Sequence, residues 1–352
     1  MQHRVISGIQ QVGIGVSNAD EAFQWYKDLF GFDIQVFADA AEAPFMTRYT
    51  GGEVHKRYAI LAINLQGGGG LEIWEYKSRT SQPAKDAFVW GKPGIQSIKI
   101  RCKNVPEFYK EAISKKVKVI NQPTENALGK MHFYLYDPYG NIFEILEDDY
   151  WFTDGESLTG GVMGVTIAVS DMEKGVDFYK EILALNENFY SEKAPIKDWQ
   201  GLPLQAGTYA RCILSSQPGA QPGGFGKLLG SYEIELVQAV PAIPGHLYDN
   251  RFWGDLGFIH ICFDIKGYDE HTAICNNSGY PLTIDSGSFN MGDAAGRFSY
   301  NEDPDGTLIE YVETYKVPIL KKIGWFLNLK HRPAAKHLPN WMVKSLKFSR
   351  VK

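Results

Sequence analysis

Gly257 to Ile265 reads GFIHICFDI and alternates strictly between two kinds of side chain. Ile259, Ile261 and Phe263 point one way; His260, Cys262 and Asp264 point the other. A strand of period two lays its apolar face under a helix and offers the second face to something polar. A strand histidine by itself is more often a satisfied core residue than a ligand, so His260 takes its meaning from the rest of the chain. Extended back to Trp253, the stretch WGDLGFIHICFDI repeats WGKPGIQSIKIRC, which begins at Trp90.

Two more starts of the same kind exist. GIQQVGIGVSNADEAFQWYKDLFGF from Gly8 matches GGVMGVTIAVSDMEKGVDFYKEILAL from Gly160, with Val16 over Val169 and Tyr26 over Tyr179. The first copy reads as a strand over residues 9–16, then a helix whose Ala22, Phe23, Tyr26, Leu29 and Phe30 recur at helical spacing. Asn18 or Asp20 can cap it and Gly31 can stop it. Strand patterns follow at Ile34 to Phe37, Arg57 to Leu65 and Leu71 to Tyr76. Hairpin turns DPYG at Asp137 and DPDG at Asp303 mark equivalent points of two later copies. The chain is therefore α+β, built from four βαβββ units paired into two halves, residues 1–150 and 151–315, with a C-terminal extension over residues 316–352.

At 44% hydrophobic and 13% aromatic, the 352 residues suffice for substantial cores and argue against extensive disorder. Cys102, Cys212, Cys262 and Cys275 form no CxxC pair, which reads as reduced core thiols. With no signal-like N-terminus and no apolar run of spanning length, a cytoplasmic protein is expected. Net charge is −5, yet the extension holds ten basic residues and no acidic one, leaving −15 on the remainder. That acidic body, without an aromatic and basic face, speaks against nucleic-acid binding.

The repeated units, the FYK-type helices, the WGxxGFxHI strand and the DPxGxxxE hairpin resemble the vicinal oxygen chelate superfamily, which includes glyoxalase I, extradiol dioxygenases and bleomycin-resistance proteins. The resemblance covers about residues 5–315. It implies two tandem glyoxalase-like domains with cupped sheets, each cup able to hold a divalent metal between first and last strands of its units. A homodimer is also possible on this resemblance.

Carried onto this chain, the family's ligand positions are Gln11, Glu72, Ser97 and Glu144 in the first half, and Gly164, Glu235, His260 and Glu310 in the second. Each half departs at one position, Ser97 or Gly164. In the first half Lys99 and Arg101 follow Ser97 on its face and can offset the carboxylates. The second half's face, His260, Cys262 and Asp264, has no such cation, so a metal is expected there. Its ligands would be His260, Glu310 and Glu235, and the ion Zn, Ni, Mn, Co or Fe. Lys99 is expected to neutralise Glu72 or Glu144. Gln11, Glu72, Glu144, His132 and Tyr134 are expected to bind a small molecule in the first cup. His246 reads first as a solvated loop histidine and second as lining an entrance, and Gln217 to Gly230 can form a mobile flap.

The leading expectation is a glyoxalase-like, metal-dependent lyase or isomerase acting on a small molecule with vicinal oxygens, with Glu310 as both ligand and base. Where glutathione-dependent relatives carry an arginine, this chain has Gly15 and Ala168, which argues against glutathione. One alternative is an iron-dependent ring-cleaving dioxygenase, although Gly164 stands where its first histidine should be. Another is a non-catalytic small-molecule binding protein of the bleomycin-resistance type. In the extension, Pro318 can start a helix with Ile319, Leu320, Ile323, Phe326 and Leu327 on one stripe. Such a helix is expected to dock on the acidic body, with peripheral contact to an anionic membrane as the less favoured alternative.

Overall fold

The computed structural model describes residues 3–194, 196–291, 294–320 and 325–351. The first unit comprises β1 (Val5–Gly15), α1 (Ala19–Phe30), β2 (Ile34–Glu42), β3 (Lys56–Ile63) and β4 (Gly70–Tyr76). The second has β5 (Gly94–Cys102), α2 (Val105–Ser114), β6 (Thr124–Glu125), β7 (Met131–Tyr136) and β8 (Ile142–Glu147). The third has β9 (Thr159–Ala168), α3 (Met172–Leu183), β10 (Asn186–Ser191), β11 (Thr208–Ser215), a short α4 (Gly226–Leu229) and β12 (Glu233–Val240). The fourth has β13 (Gly257–Lys266), α5 (Tyr268–Asn277), β14 (Ile284–Asp285), β15 (Phe289–Met291), β16 (Ala294–Glu302) and β17 (Leu308–Leu320). Beyond it lie β18 (Trp325–Asn328) and α6 (Asn340–Lys344).

Local sequence explains the repeats. Asn18, Asn104 and Asp171 each accept a hydrogen bond from the backbone N–H three residues on, at 3.1 to 3.2 Å, so α1, α2 and α3 start with the same side-chain cap. Gly31 ends α1 in the left-handed region. Tyr26 of α1 donates to Asp137 of the DPYG turn at 2.6 Å, and Tyr179 of α3 donates to Asp303 of the DPDG turn at 2.8 Å. The two most conspicuous repeated motifs therefore meet in space, once within each half of the chain.

The sheets are assembled differently. One runs β14-β16-β17-β13-β1-β4-β3-β2, with β15 on β16 and β18 on β17; the other runs β10-β11-β12-β9-β5-β8-β7-β6. The first unit thus shares a sheet with the fourth, and the second with the third. At each centre two first strands pair antiparallel, β1 with β13 and β5 with β9. Each of these also lies parallel to the last strand of its own unit.

The sheets turn apolar faces to each other, and Val12, Ile14, Ile98, Ile100, Val165, Ile167, Ile261 and Phe263 share one core with the helices. A glycine seam stitches them: Gly69 N–H donates to Val162 O at 2.8 Å and Val162 N–H returns to Gly69 O at 2.9 Å. A Cβ on Gly68, whose φ is +111°, would fall 2.6 Å from the carbonyl carbon of Gly161, so the approach requires glycine.

The extension departs from expectation. Instead of a helix from Pro318, β17 continues to Leu320 and β18 returns against it, with Lys316 opposite Asn328 and Pro318 opposite Phe326. An existing strand gains a ladder partner with each added residue, whereas a new helix must first be nucleated. Lys321, Lys322 and Ile323 lie outside the described residues. Docking on the body is observed: Leu329, Leu338 and Val343 are buried with Ile34, Ile63, Leu65 and Leu228. Arg350 Nε lies 2.9 Å from Asp33 Oδ2. The expected flap, Gln217 to Gly230, is packed rather than free, because Leu228 joins that cluster and Gln221 O lies 2.8 Å from His337 Nε2.

Candidate functional site

Because β1 pairs with β13, Gly13 lies opposite His260, and because β1 also pairs with β4, Gly13 lies beside Glu72. On the far side of β13, Cys262 neighbours Glu310 of β17. Glu72, His260 and Glu310 each offer a ligand atom, and these three atoms lie within 4.8 Å of one another. His260 Nε2 is 3.0 Å from Glu310 Oε2 and 3.4 Å from Glu72 Oε2. Gln11 stands one pleat away on the same face of β1, opposite Cys262.

These groups are buried and poorly satisfied. Both ring nitrogens of His260, Glu310 Oε2 and Gln11 Oε1 are out of contact with solvent and lack a hydrogen bond of good geometry. Buried polar atoms without well-formed hydrogen bonds are costly, and a cation among His260 Nε2 and the carboxylates of Glu310 and Glu72 would satisfy them. Burial opposes charge on His260, but Glu310 and then Glu72 outweigh it and raise the imidazolium to about 9. A shared cation could replace that proton. The donors, one imidazole and two carboxylates with an amide oxygen at hand, fit a borderline or hard divalent ion.

The surroundings fix the imidazole. Trp253 lies nearly parallel to it, rings 10° apart with centroids at 6.1 Å, and Tyr300 meets it edge-on at 5.5 Å. A Cβ on Gly13 would fall 2.5 Å from His260 Cε1 and 2.7 Å from Nδ1, so glycine there makes the room the ring occupies. Met46, Trp74, Tyr76, Trp253, Ile259 and Tyr300 form an apolar cluster around this end of the sheet. A groove of about 880 Å³ reaches Trp253 and Ile259 and includes His246, but the three converging residues are not in its walls. Trp253 therefore separates the groove from the cluster.

The second sheet holds a different arrangement. Lys99 Nζ lies 2.5 Å from Glu235, 2.7 Å from Glu233 and 3.3 Å from Glu144, all buried. Arg211 Nε pairs with Glu235 at 2.5 Å and its Nη1 with Asp198, while His132 Nδ1 is 2.6 Å from Glu144. Burial disfavours the ammonium, but the three glutamates outweigh it and raise Lys99 above its ordinary value. Burial likewise opposes charge on Glu144, yet Lys99 and His132 hold its carboxyl down at about 2. Gly164 admits the lysine, since a Cβ there would lie 3.1 Å from Lys99 Cδ.

The expected residues are thus redistributed. His260 and Glu310 come together with Glu72, not with Glu235, which lies in the other sheet with both Lys99 and Arg211 against it. Gln11 and Glu72 lie in the first sheet, apart from Glu144, His132 and Tyr134 in the second. Lys99 neutralises Glu144 as expected, but not Glu72. The cause is the pairing of first strands across the halves. Its sequence signal was already present: each half lacks one ligand, and the lacking positions do not coincide. Arg211 was missed because it sits mid-strand in TYARCILS, where nothing marks it as buried.

The family model described as Glyoxalase/Bleomycin resistance protein/Dioxygenase superfamily matches residues 8–145 and 162–311. Among solved structures, a candidate dioxygenase from Bacillus subtilis subsp. subtilis strain 168 superposes with a TM-score of 0.61 at 14% identity, covering 99% of this chain and 98% of its own. Glyoxalase I from Zea mays superposes with a TM-score of 0.54 at 12% identity, covering 88% and 92%. At such identities the likeness is one of fold. A search of curated proteins returned no match. Two family matches that together span most of the sequence, and a fold of four βαβββ units in two curled sheets, place the chain in the glyoxalase/bleomycin resistance protein/dioxygenase superfamily.

Proposed function

We propose that the cup of the first sheet is the active centre of a metal-dependent, glyoxalase-like enzyme, a lyase or isomerase acting on a small molecule with vicinal oxygens. The ligands are Glu72, His260 and Glu310, with Gln11 as a fourth donor. The observation that carries this reading is the convergence of one ligand atom each from Glu72, His260 and Glu310 within 4.8 Å, with His260 and Glu310 buried. A bound divalent ion, Zn, Ni, Mn, Co or Fe, would supply Lewis acidity toward the substrate's oxygens.

The chain's own residues supply the rest. Two carboxylates balance two positive charges, and Gln11 adds an oxygen without adding charge. Glu310 takes the proton α to the carbonyl and returns it to the neighbouring carbon. Tyr300, cross-strand partner of Glu310, is buried; that burial, then the charges of Glu310 and Glu72, raise its phenol well above the usual value, so it stays a proton donor beside the base. Trp253 and Tyr300 hold water away and keep the imidazole oriented. Glutathione is not the favoured thiol carrier, because the backbone of Asp255 fills the space a side chain at Gly15 would need. The dioxygenase reading requires two histidines and one carboxylate, whereas this set has one histidine and two carboxylates.

Elemental analysis of protein purified without added ions tests the assignment. About one divalent ion per chain is expected, lost in His260→Ala and Glu310→Gln and retained in Glu235→Gln. Equal metal content in the first two variants and the parent would sink it, and an intact protein that takes up no divalent ion would favour the binding-protein reading.

A further inference from the structure

We propose that the C-terminal segment from Pro339 to Val351 is a docking surface for an anionic lipid bilayer. The proposal is independent of the reaction assigned above. Trp341 and Phe348 are 55% and 68% exposed, the most exposed large apolar side chains among the described residues. Their exposure is not a loose end of chain, because the same segment is anchored from beneath: Leu338 and Val343 are buried, and Met342 and Leu346 pack against that cluster. In α6 and the 3₁₀ turn after it (Ser345–Ser349), Trp341, Lys344, Lys347 and Phe348 are all exposed, whereas Val343 and Ser345 between them are buried.

Charge selects the occupant. The extension holds ten basic residues and no acidic one. Arg350 is tied to Asp33, but Lys344 and Lys347 have no carboxylate within ion-pair range among the described residues. Lys227 of α4 adds a cation beside the start of α6, with Nζ 3.3 Å from Asn340 Oδ1. A tryptophan and a phenylalanine beside lysines that have no carboxylate partner among the described residues, Lys347 lying 5.6 Å from the Phe348 ring centre, match a membrane interface, where rings settle at headgroup depth and ammonium groups meet lipid phosphates and carboxylates. A second copy of the chain fits less well, because it would bring two basic segments face to face. The acidic remainder of the protein is repelled by the same bilayer, so the charge asymmetry also orients the molecule, extension toward the lipid and body away.

Sedimentation of the full-length protein with vesicles tests this, comparing phosphatidylcholine alone with phosphatidylcholine carrying one third phosphatidylserine. Binding is expected only to the anionic vesicles and is expected to fade at about 0.5 M salt, where charges are screened beyond a few ångströms. W341S/F348S and K344E/K347E should each weaken it by about tenfold or more. Unchanged metal content and melting temperature establish that these variants are folded. No binding to anionic vesicles, or equal binding to neutral ones, overturns the proposal. So does self-association without lipid that W341S/F348S abolishes, which would assign the surface to a second copy.

Discussion

Lys99 occupies, in the second sheet, the role that a divalent ion is proposed to fill in the first. Its ammonium sits among Glu144, Glu233 and Glu235 with no exposure to solvent. Removing one member of a buried charge cluster leaves the others uncompensated, typically costing roughly 3 to 5 kcal/mol. Lys99→Met keeps most of the stem's volume and should lower stability by about that amount near neutral pH, read as a shift in the denaturant midpoint. The sign of the pH dependence follows from Glu144. Its folded carboxyl is held at about 2 against an ordinary 4.5, so it contributes stability above pH 4.5 that is lost as pH falls toward 2. In the variant, burial acts without the lysine and the carboxyls take up protons more readily. The gap between variant and parent should therefore narrow as pH falls below 4.5. A gap independent of pH would mean that packing, not charge, sets the cost.

At the scale of elements, the repeats were legible from local sequence. Alternation in GFIHICFDI, the cap at Asn18 and the DPxG turns are each decided within a dozen residues, and with the repeats they yield the four units. Which units share a sheet is decided by β1 meeting β13 and by the approach of Gly67 to Gly69 toward Gly161 and Val162, contacts more than ninety residues apart in sequence. His260, Glu310 and Glu72 were all singled out by residue type, but their partnership depended on that pairing and Glu235 was chosen in place of Glu72. The extension was misread because short apolar runs fit a helix and a strand equally well; it pairs as a hairpin and then docks. Its anchoring leads to an expected outcome. Deleting residues 329–352 removes Leu329, Leu338 and Val343 and uncovers Ile34, Ile63 and Leu65, so the melting temperature should fall and aggregation should rise without any lipid present. An equally stable and soluble truncated protein would show that the docking contributes nothing.

Across the whole molecule, the chain lays down β1 to β4, crosses to the other sheet for β5 to β12, and returns through residues 241–256 to complete the first sheet. The second sheet is therefore a contiguous passage of sequence, and the first is made from what flanks it. Residues 1–150 and 151–352 expressed separately should each fail to bind one tightly held divalent ion, because Glu72 lies in one and His260 and Glu310 in the other. Co-expressed, they should regain about one per pair. Retention of the ion by the second fragment alone would show that Glu72 is dispensable. The same layout has a consequence for biosynthesis. On the ribosome, Gln11 and Glu72 emerge early and must wait for residues up to Glu310 before their cup exists. If the proposed ion binds there, its occupancy would report that synthesis has passed Glu310: a chain released before that point, however well its early units fold, lacks the proposed ligand set.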